Sequence, residues 1–168
     1  MTARIIDGKA VAATVRTEVA GRVQALKRKF GVVPGLAVVL VGDDAASQVY
    51  VRNKEAATAA AGMVSIAHRL PTTVPEGTLL GLIGDLNRCD DVHGILVQLP
   101  LPKQIDPAKV IAAIDPDKDV DGFHPVNVGR LSLGDAKLIP CTPMGSVILA
   151  KTVLPSLAGL EAVILGRS

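Results

Sequence analysis

The chain has 168 residues, of which 49% are hydrophobic, 20% charged and 2% aromatic, with a formal net charge of +2, two cysteines and no tryptophan. That length allows one globular domain and the start of another. Folding at this size removes roughly two-thirds of the unfolded surface from water, so the core needs no disulfide or metal staple. So few rings argue against base stacking on single strands, the near-neutral charge gives little pull on nucleic acid or anionic lipid, and no apolar run approaches the roughly 20 residues that cross a bilayer.

From Asp7 to Phe30, Val11, Val15, Val19, Val23 and Leu26 recur at spacings of three and four. This is an amphipathic helix stopped at Gly31, and the basic run Lys27 to Lys29 falls in its last turn, where cations favour the helix dipole. Leu36 to Val41 is a continuous aliphatic run closed by Gly42, the pattern of a parallel strand buried on both faces. A helix over Ser47 to Ala61, a strand over Met63 to Leu70, a helix opened by Pro75 and running to Arg88, and a short buried strand Gly94 to Gln98 follow. The alternation predicts an α/β fold: a three-layer, open, mostly parallel sheet with right-handed crossovers.

A short helix over Asp106 to Ala113 precedes the acidic loop Asp115 to Gly122. Asp117, Asp119, Asp121 and Gly122 match the first, third, fifth and sixth positions of an EF-hand loop, but the twelfth is Val128, which offers no carboxylate, and Pro116 and Pro125 disfavour flanking helices. What remains is a solvated turn, or one carboxylate turned inward to accept from paired N–H donors such as an aminopyrimidinone edge presents. A helix over Met144 to Val153 then leads to a strand over Glu161 to Leu165 and to Gly166-Arg167-Ser168. A buried strand entering a glycine turn is how a dinucleotide-binding unit begins, so the expected organisation is a catalytic α/β domain over residues 1–140, followed by a linker helix and the first strand of a Rossmann-type domain over 141–168. A unit that begins there and stops implies a piece of a longer enzyme.

Tyr50 and Lys54 are four residues apart on one helix face, with Ser47 a turn earlier. A phenol and an amine together can position a substrate and move protons, although helical Tyr/Lys pairs usually only pack. Short-chain dehydrogenases share the spacing but carry their glycine-rich loop first and their serine well upstream, unlike this chain. Gln98 closes a buried strand, where ligands sit in open α/β sheets, and serves either a neighbouring amine or substrate edge or simply the loop backbone. His68, His93 and His124 are scattered, His68 reading as a satisfied core histidine, and none suggests a metal site. Cys89 and Cys141 follow no ligand spacing, the start of the chain carries no signal-peptide pattern, and reduced thiols in a cytoplasmic protein are expected.

Taken in order, Tyr50-Val-Arg-Asn-Lys54, Gly94-Ile-Leu-Val-Gln-Leu-Pro-Leu-Pro102, Asp115-Pro-Asp-Lys-Asp-Val-Asp-Gly-Phe-His124, Pro140-Cys-Thr-Pro143 and Gly166-Arg-Ser168 resemble the bifunctional methylenetetrahydrofolate dehydrogenase/methenyltetrahydrofolate cyclohydrolase (FolD) family across essentially the whole chain. The resemblance implies that Lys54 transfers protons in the cyclohydrolase reaction and that Gln98 orients it. Tyr50 would pack on the folate rings, Asp121 would accept from the pterin edge, and Ser47 would line the same pocket. Gly166, Arg167 and Ser168 would begin the loop holding the NADP phosphates. It implies a cytoplasmic homodimer that oxidises 5,10-methylenetetrahydrofolate with NADP and hydrolyses the methenyl product to 10-formyltetrahydrofolate, with no nucleic-acid, membrane or metal partner. A non-catalytic folate-binding or dimerisation module, or another two-domain α/β dehydrogenase, are the alternatives.

Overall fold

The structure, a computed structural model, describes residues 5–166. Helix α1 (Gly8–Phe30) is capped by the Asp7 carboxylate, which accepts from the N–H groups of Lys9 and Ala10, and it ends where Gly31 turns left-handed at φ 70°. Strand β1 (Gly35–Val41), helix α2 (Ala45–Ala60), strand β2 (Val64–Leu70), helix α3 (Glu76–Arg88), strand β3 (Gly94–Val97) and helix α4 (Pro107–Ala113) then follow, within a residue or two of the sequence expectation. The strands form one parallel sheet in the order β2-β1-β3, with Leu36 opposite both Ser65 and Gly94.

Alternation along β1 splits the core in two. Ala37, Val39 and Val41 face Leu79, Ile83 and Leu86 of α3 and Val110 of α4, with Ile95 and Val97 from β3. Val38 and Leu40 face the other way, against Leu96 of β3 and Val51 of α2. Helices thus cover both faces, which is why β1 and β3 are buried almost throughout while edge strand β2 alternates. The second face is thinly covered: of the apolar stripe on α1 only Val23 is buried, and Val15 and Val19 line an open cavity instead of core.

Three elements depart from expectation. Helix α5 (Pro125–Ser132) forms where Pro125 argued against a helix, because proline sits in its first turn, where the missing N–H has no intrahelical partner to lose. His124 caps it by accepting from the Val126 N–H at 3.1 Å. Helix α6 (Cys141–Lys151) begins three residues ahead of the expected Met144. The strand expected over residues 161–165 does not form; Val163, Ile164 and Leu165 are 87%, 86% and 94% exposed. A strand exists through the ladder it shares with a neighbour, and this run has none among the described residues. Among those residues no helix is long and apolar enough to cross a membrane.

Gly94 is set by close approach: a Cβ there would stand 2.5 Å from Val120 Cγ1 and 3.3 Å from Leu36 Cδ1. Gly94→Ala must push the acidic loop off β3, so an overpacking loss of about 1–3 kcal/mol is expected in urea unfolding. An unchanged midpoint would show that the loop yields freely.

Candidate active site

The thinly covered sheet face becomes a cavity of about 840 Å³ between α1, α2, the sheet and the start of α6. Its floor is Leu36 and Leu96, and Tyr50, Lys54, Gln98 and Asp121 all line it. Tyr50 and Lys54 project from one face of α2 because they are a turn apart, Tyr50 standing at the rim with 61% exposure. Gln98 follows the last residue of β3, at the carboxyl end of the sheet, where strand side chains give way to loop.

Both readings of Gln98 hold at once. Its Nε2 donates to the Leu99 carbonyl at 2.7 Å, which fixes the amide, and its Oε1 accepts from Lys54 Nζ at 3.1 Å. The amide therefore aims the amine, leaving the remaining Nζ positions free to face a ligand. Asp121 is held above the ordinary carboxylate range, first by burial; the Lys54 charge opposes this and the neighbouring Asp119 charge adds to it. An acid so placed gains from any ligand that presents N–H donors to it.

The acidic loop is a bracket that presents Asp121. Asp119 is 2% exposed; its carboxylate accepts from the N–H of Gly122 at 3.1 Å, the N–H of His124 at 2.8 Å and Asn127 Nδ2 at 2.9 Å. Asn127, buried on α5, also donates to the Pro116 carbonyl at 2.8 Å. Lys118 Nζ reaches the carbonyls of Asn87 and Cys89 at the end of α3, and Ile95 N–H of β3 donates to the Lys118 carbonyl at 2.7 Å. Asp117 faces Arg130 and Lys137 at 3.7 and 3.6 Å. The inward carboxylate thus divides into two neighbours: Asp119 serves the loop itself and Asp121 faces the cavity.

Of the residues expected at the site, Lys54, Gln98, Tyr50 and Asp121 share this crevice, and Ser47 does not. Ser47 is buried and its N–H donates to Asp44 at 2.8 Å; together with a bond from the Ser47 side chain this holds the Asp44 carboxyl below its usual range, so Ser47 fastens the start of α2 and is absent from the cavity lining. Gly166 lies apart from the crevice, and Arg167 and Ser168 lie outside the described residues. His68 is half-buried and its Nε2 has no partner among the described residues, so it is not the satisfied core histidine expected. Sequence reasoning missed Asp119, Asn127 and the cavity residues Arg16, His93 and Thr142. Pro125 after His124 was the available signal for α5; nothing local marks Arg16.

The family model for the catalytic domain of tetrahydrofolate dehydrogenase/cyclohydrolase matches residues 6–121, more than half of the chain. The chain belongs to this family. The matched stretch contains Tyr50, Lys54, Gln98 and Asp121 and stops before α5. The chain is 61% identical over 168 residues to the bifunctional protein FolD of Bradyrhizobium sp., covering all of this chain and 57% of that protein. Among solved structures, FolD of Campylobacter jejuni superposes with a TM-score of 0.85 at 46% identity over 89% of this chain and 53% of that one. FolD of Trypanosoma brucei, complexed with NADP cofactor and an inhibitor, gives a TM-score of 0.86 at 37% identity over 90% and 52%. The chain therefore spans little more than half the length of the tetrahydrofolate dehydrogenase/cyclohydrolases it matches.

Proposed function

We propose that the protein acts in one-carbon folate metabolism, oxidising 5,10-methylenetetrahydrofolate with NADP and hydrolysing the resulting methenyl ion to 10-formyltetrahydrofolate. The observation that carries the reading is the Lys54–Gln98 bond at 3.1 Å opening onto the same crevice as Asp121. An amine aimed by an amide and a carboxylate seeking donors are what a pterin with a reactive bridging carbon requires. The floor of Leu36 and Leu96 suits its rings, and the volume of about 840 Å³ lies within the range of small-molecule sites.

In the hydrolytic step a water oxygen bonds to the bridging carbon while Lys54 takes one water proton. The bond from that carbon to the ring nitrogen breaks, its electron pair staying on the nitrogen, which receives the proton back from Lys54. The hydroxyl proton leaves to solvent as the formyl carbonyl forms. Gln98 keeps Nζ oriented through both transfers, and Asp121 anchors the pterin edge.

NADP, when bound, accepts the hydride of the oxidative step. Gly166 fits the opening of a phosphate loop: its φ of 120° is a conformation that favours glycine, and none of the described residues stands within 4 Å of where its Cβ would be. Residues 1–140 form the folate-binding unit of this reading, 141–168 lead toward a cofactor-binding domain, and a cytoplasmic homodimer belongs to the same proposal.

The test is spectrophotometric. The intact protein should reduce NADP with 5,10-methylenetetrahydrofolate and discharge 5,10-methenyltetrahydrofolate, and absence of both activities refutes the reading. Asp121→Ala should weaken tetrahydrofolate binding by about tenfold to a hundredfold, since two charge-assisted bonds are lost. Affinity of the unaltered protein should fall as pH drops through the raised pKa of Asp121, because the protonated carboxyl no longer accepts from both donors. Calorimetric titration across pH reads both effects, and a pH-independent affinity would remove Asp121 from the site.

A further inference from the structure

We propose that the seam between Gly122 and Pro140 positions the oxidative step: it fixes the start of α6 against the back of the Asp121 bracket, and so sets how the pterin held by Asp121 meets the cofactor. This rests on the folate reading and deepens it, because on that reading α6 leads toward the cofactor-binding domain.

Asp121 stands between two residues that touch the start of α6. On one side Gly122, left-handed at φ 67°, packs so closely that a Cβ would stand 2.9 Å from Pro140 N, 3.0 Å from Pro140 Cδ and 3.2 Å from the Ile139 carbonyl carbon. On the other side the Cys141 thiol donates to the Val120 carbonyl at 3.7 Å. Val120, Asp121, Cys141 and Thr142 all line the crevice, so the acid and the first turn of α6 share one wall.

The two sides of the seam are unequally held. The Gly122 N–H donates to the Asp119 carboxylate at 3.1 Å, and Val120 is packed on Gly94 of β3, so the bracket is tied to the sheet. Helix α6 is held less: its N-cap, Pro140, offers no capping side chain, and none of the residues from Cys141 to Lys151 is buried. An atom added at Gly122 meets backbone and a rigid ring, neither of which can rotate away. Restoring ordinary contact at about 3.5 Å then displaces the start of α6 by about half an ångström and leaves Asp121 in place.

The two reactions respond differently to that displacement. Hydrolysis uses Lys54, Gln98 and Asp121, which α2, β3 and the bracket hold without α6. In the oxidative step the bridging carbon gives up a hydride to a nicotinamide carried beyond the seam, and the two carbons must lie about 3–3.5 Å apart.

The test measures both activities of the intact protein, NADP reduction with 5,10-methylenetetrahydrofolate and decay of 5,10-methenyltetrahydrofolate. Gly122→Ala should lower kcat for NADP reduction about tenfold, while KM for the methylene substrate and the rate of hydrolysis stay within about twofold. Alanine at a positive φ is strained whatever it touches, so Gly134→Ala is the control: Gly134 has φ 78° and none of the described residues within 4 Å of where its Cβ would be, and the ratio of the two activities should not change. Pro140→Ala takes the ring out of the seam without straining Gly122 and should lower the ratio of NADP reduction to hydrolysis in the same direction. Should either seam variant that folds keep the ratio, or Gly134→Ala shift it as far, the assignment is overturned. Absence of both activities from the unaltered protein refutes the folate reading, and the seam's role falls with it.

Discussion

Lys54→Met should lower hydrolysis of 5,10-methenyltetrahydrofolate by roughly 10²–10⁴-fold, the usual worth of a positioned proton carrier. Methionine keeps the length and apolar stem of lysine, so the half-buried wall of α2 stays packed and tetrahydrofolate affinity should change far less than turnover. The Gln98 amide, still tied to the Leu99 carbonyl, would remain in place without an amine to aim. Gln98→Ala should act through the same atom, lowering turnover less than Lys54→Met because the amine survives without its guide. Single-turnover decay of the methenyl absorbance separates binding from chemistry. Undiminished decay in Lys54→Met would take the amine out of the reaction, whatever its place in the crevice.

Asp119→Ala should cost about 3 kcal/mol of stability, a fall in melting temperature of about 6–12 °C for a chain of this size. The carboxylate satisfies three donors, and truncation leaves the His124 N–H, whose bond to it is 2.8 Å, without a partner; Asn127 retains Pro116, and Gly122 retains the Asp119 carbonyl at 3.3 Å. Because Asp121 is two residues away on the same bracket, folate affinity should fall together with stability. Asp121→Ala should behave in the opposite way. Burial disfavours its charged form, so removing it should leave stability unchanged or slightly raised while affinity drops. Urea unfolding of the two variants side by side decides the matter: equal destabilisation would mean that the division between bracket and ligand anchor is wrong.

These neighbouring acids mark how far the sequence could be read. Asp115 to Gly122 offered four carboxylates with no local feature to rank them. The ranking comes from β3 and α5, since the bridge of Asp119 to Ile95 and the Asn127 amide hold one side chain inward, while the turn that follows carries Asp121 to the cavity wall. Helix α5 was missed for a related reason: Pro125 is a breaker inside a helix and a favoured first residue, and the cap at His124 tells the two apart.

The stripe on α1 teaches the same lesson. Its spacing of three and four identified the helix correctly but could not say whether Val15 and Val19 meet core or open space. Likewise the run from Glu161 to Leu165 has the composition of a buried strand, yet strand structure belongs to a pair of segments.

Local pattern alone therefore determined the helices that border the sheet, the aliphatic strands β1 and β3, and a turn-spaced Tyr50 and Lys54, because periodicity and capping act within a few residues of chain. Which side chains meet was decided by tertiary structure. Lys54, Gln98 and Asp121 are separated by dozens of residues, and only the parallel pairing of β1 with β3, with the loop folded back over Gly94, brings amine, amide and acid to one crevice.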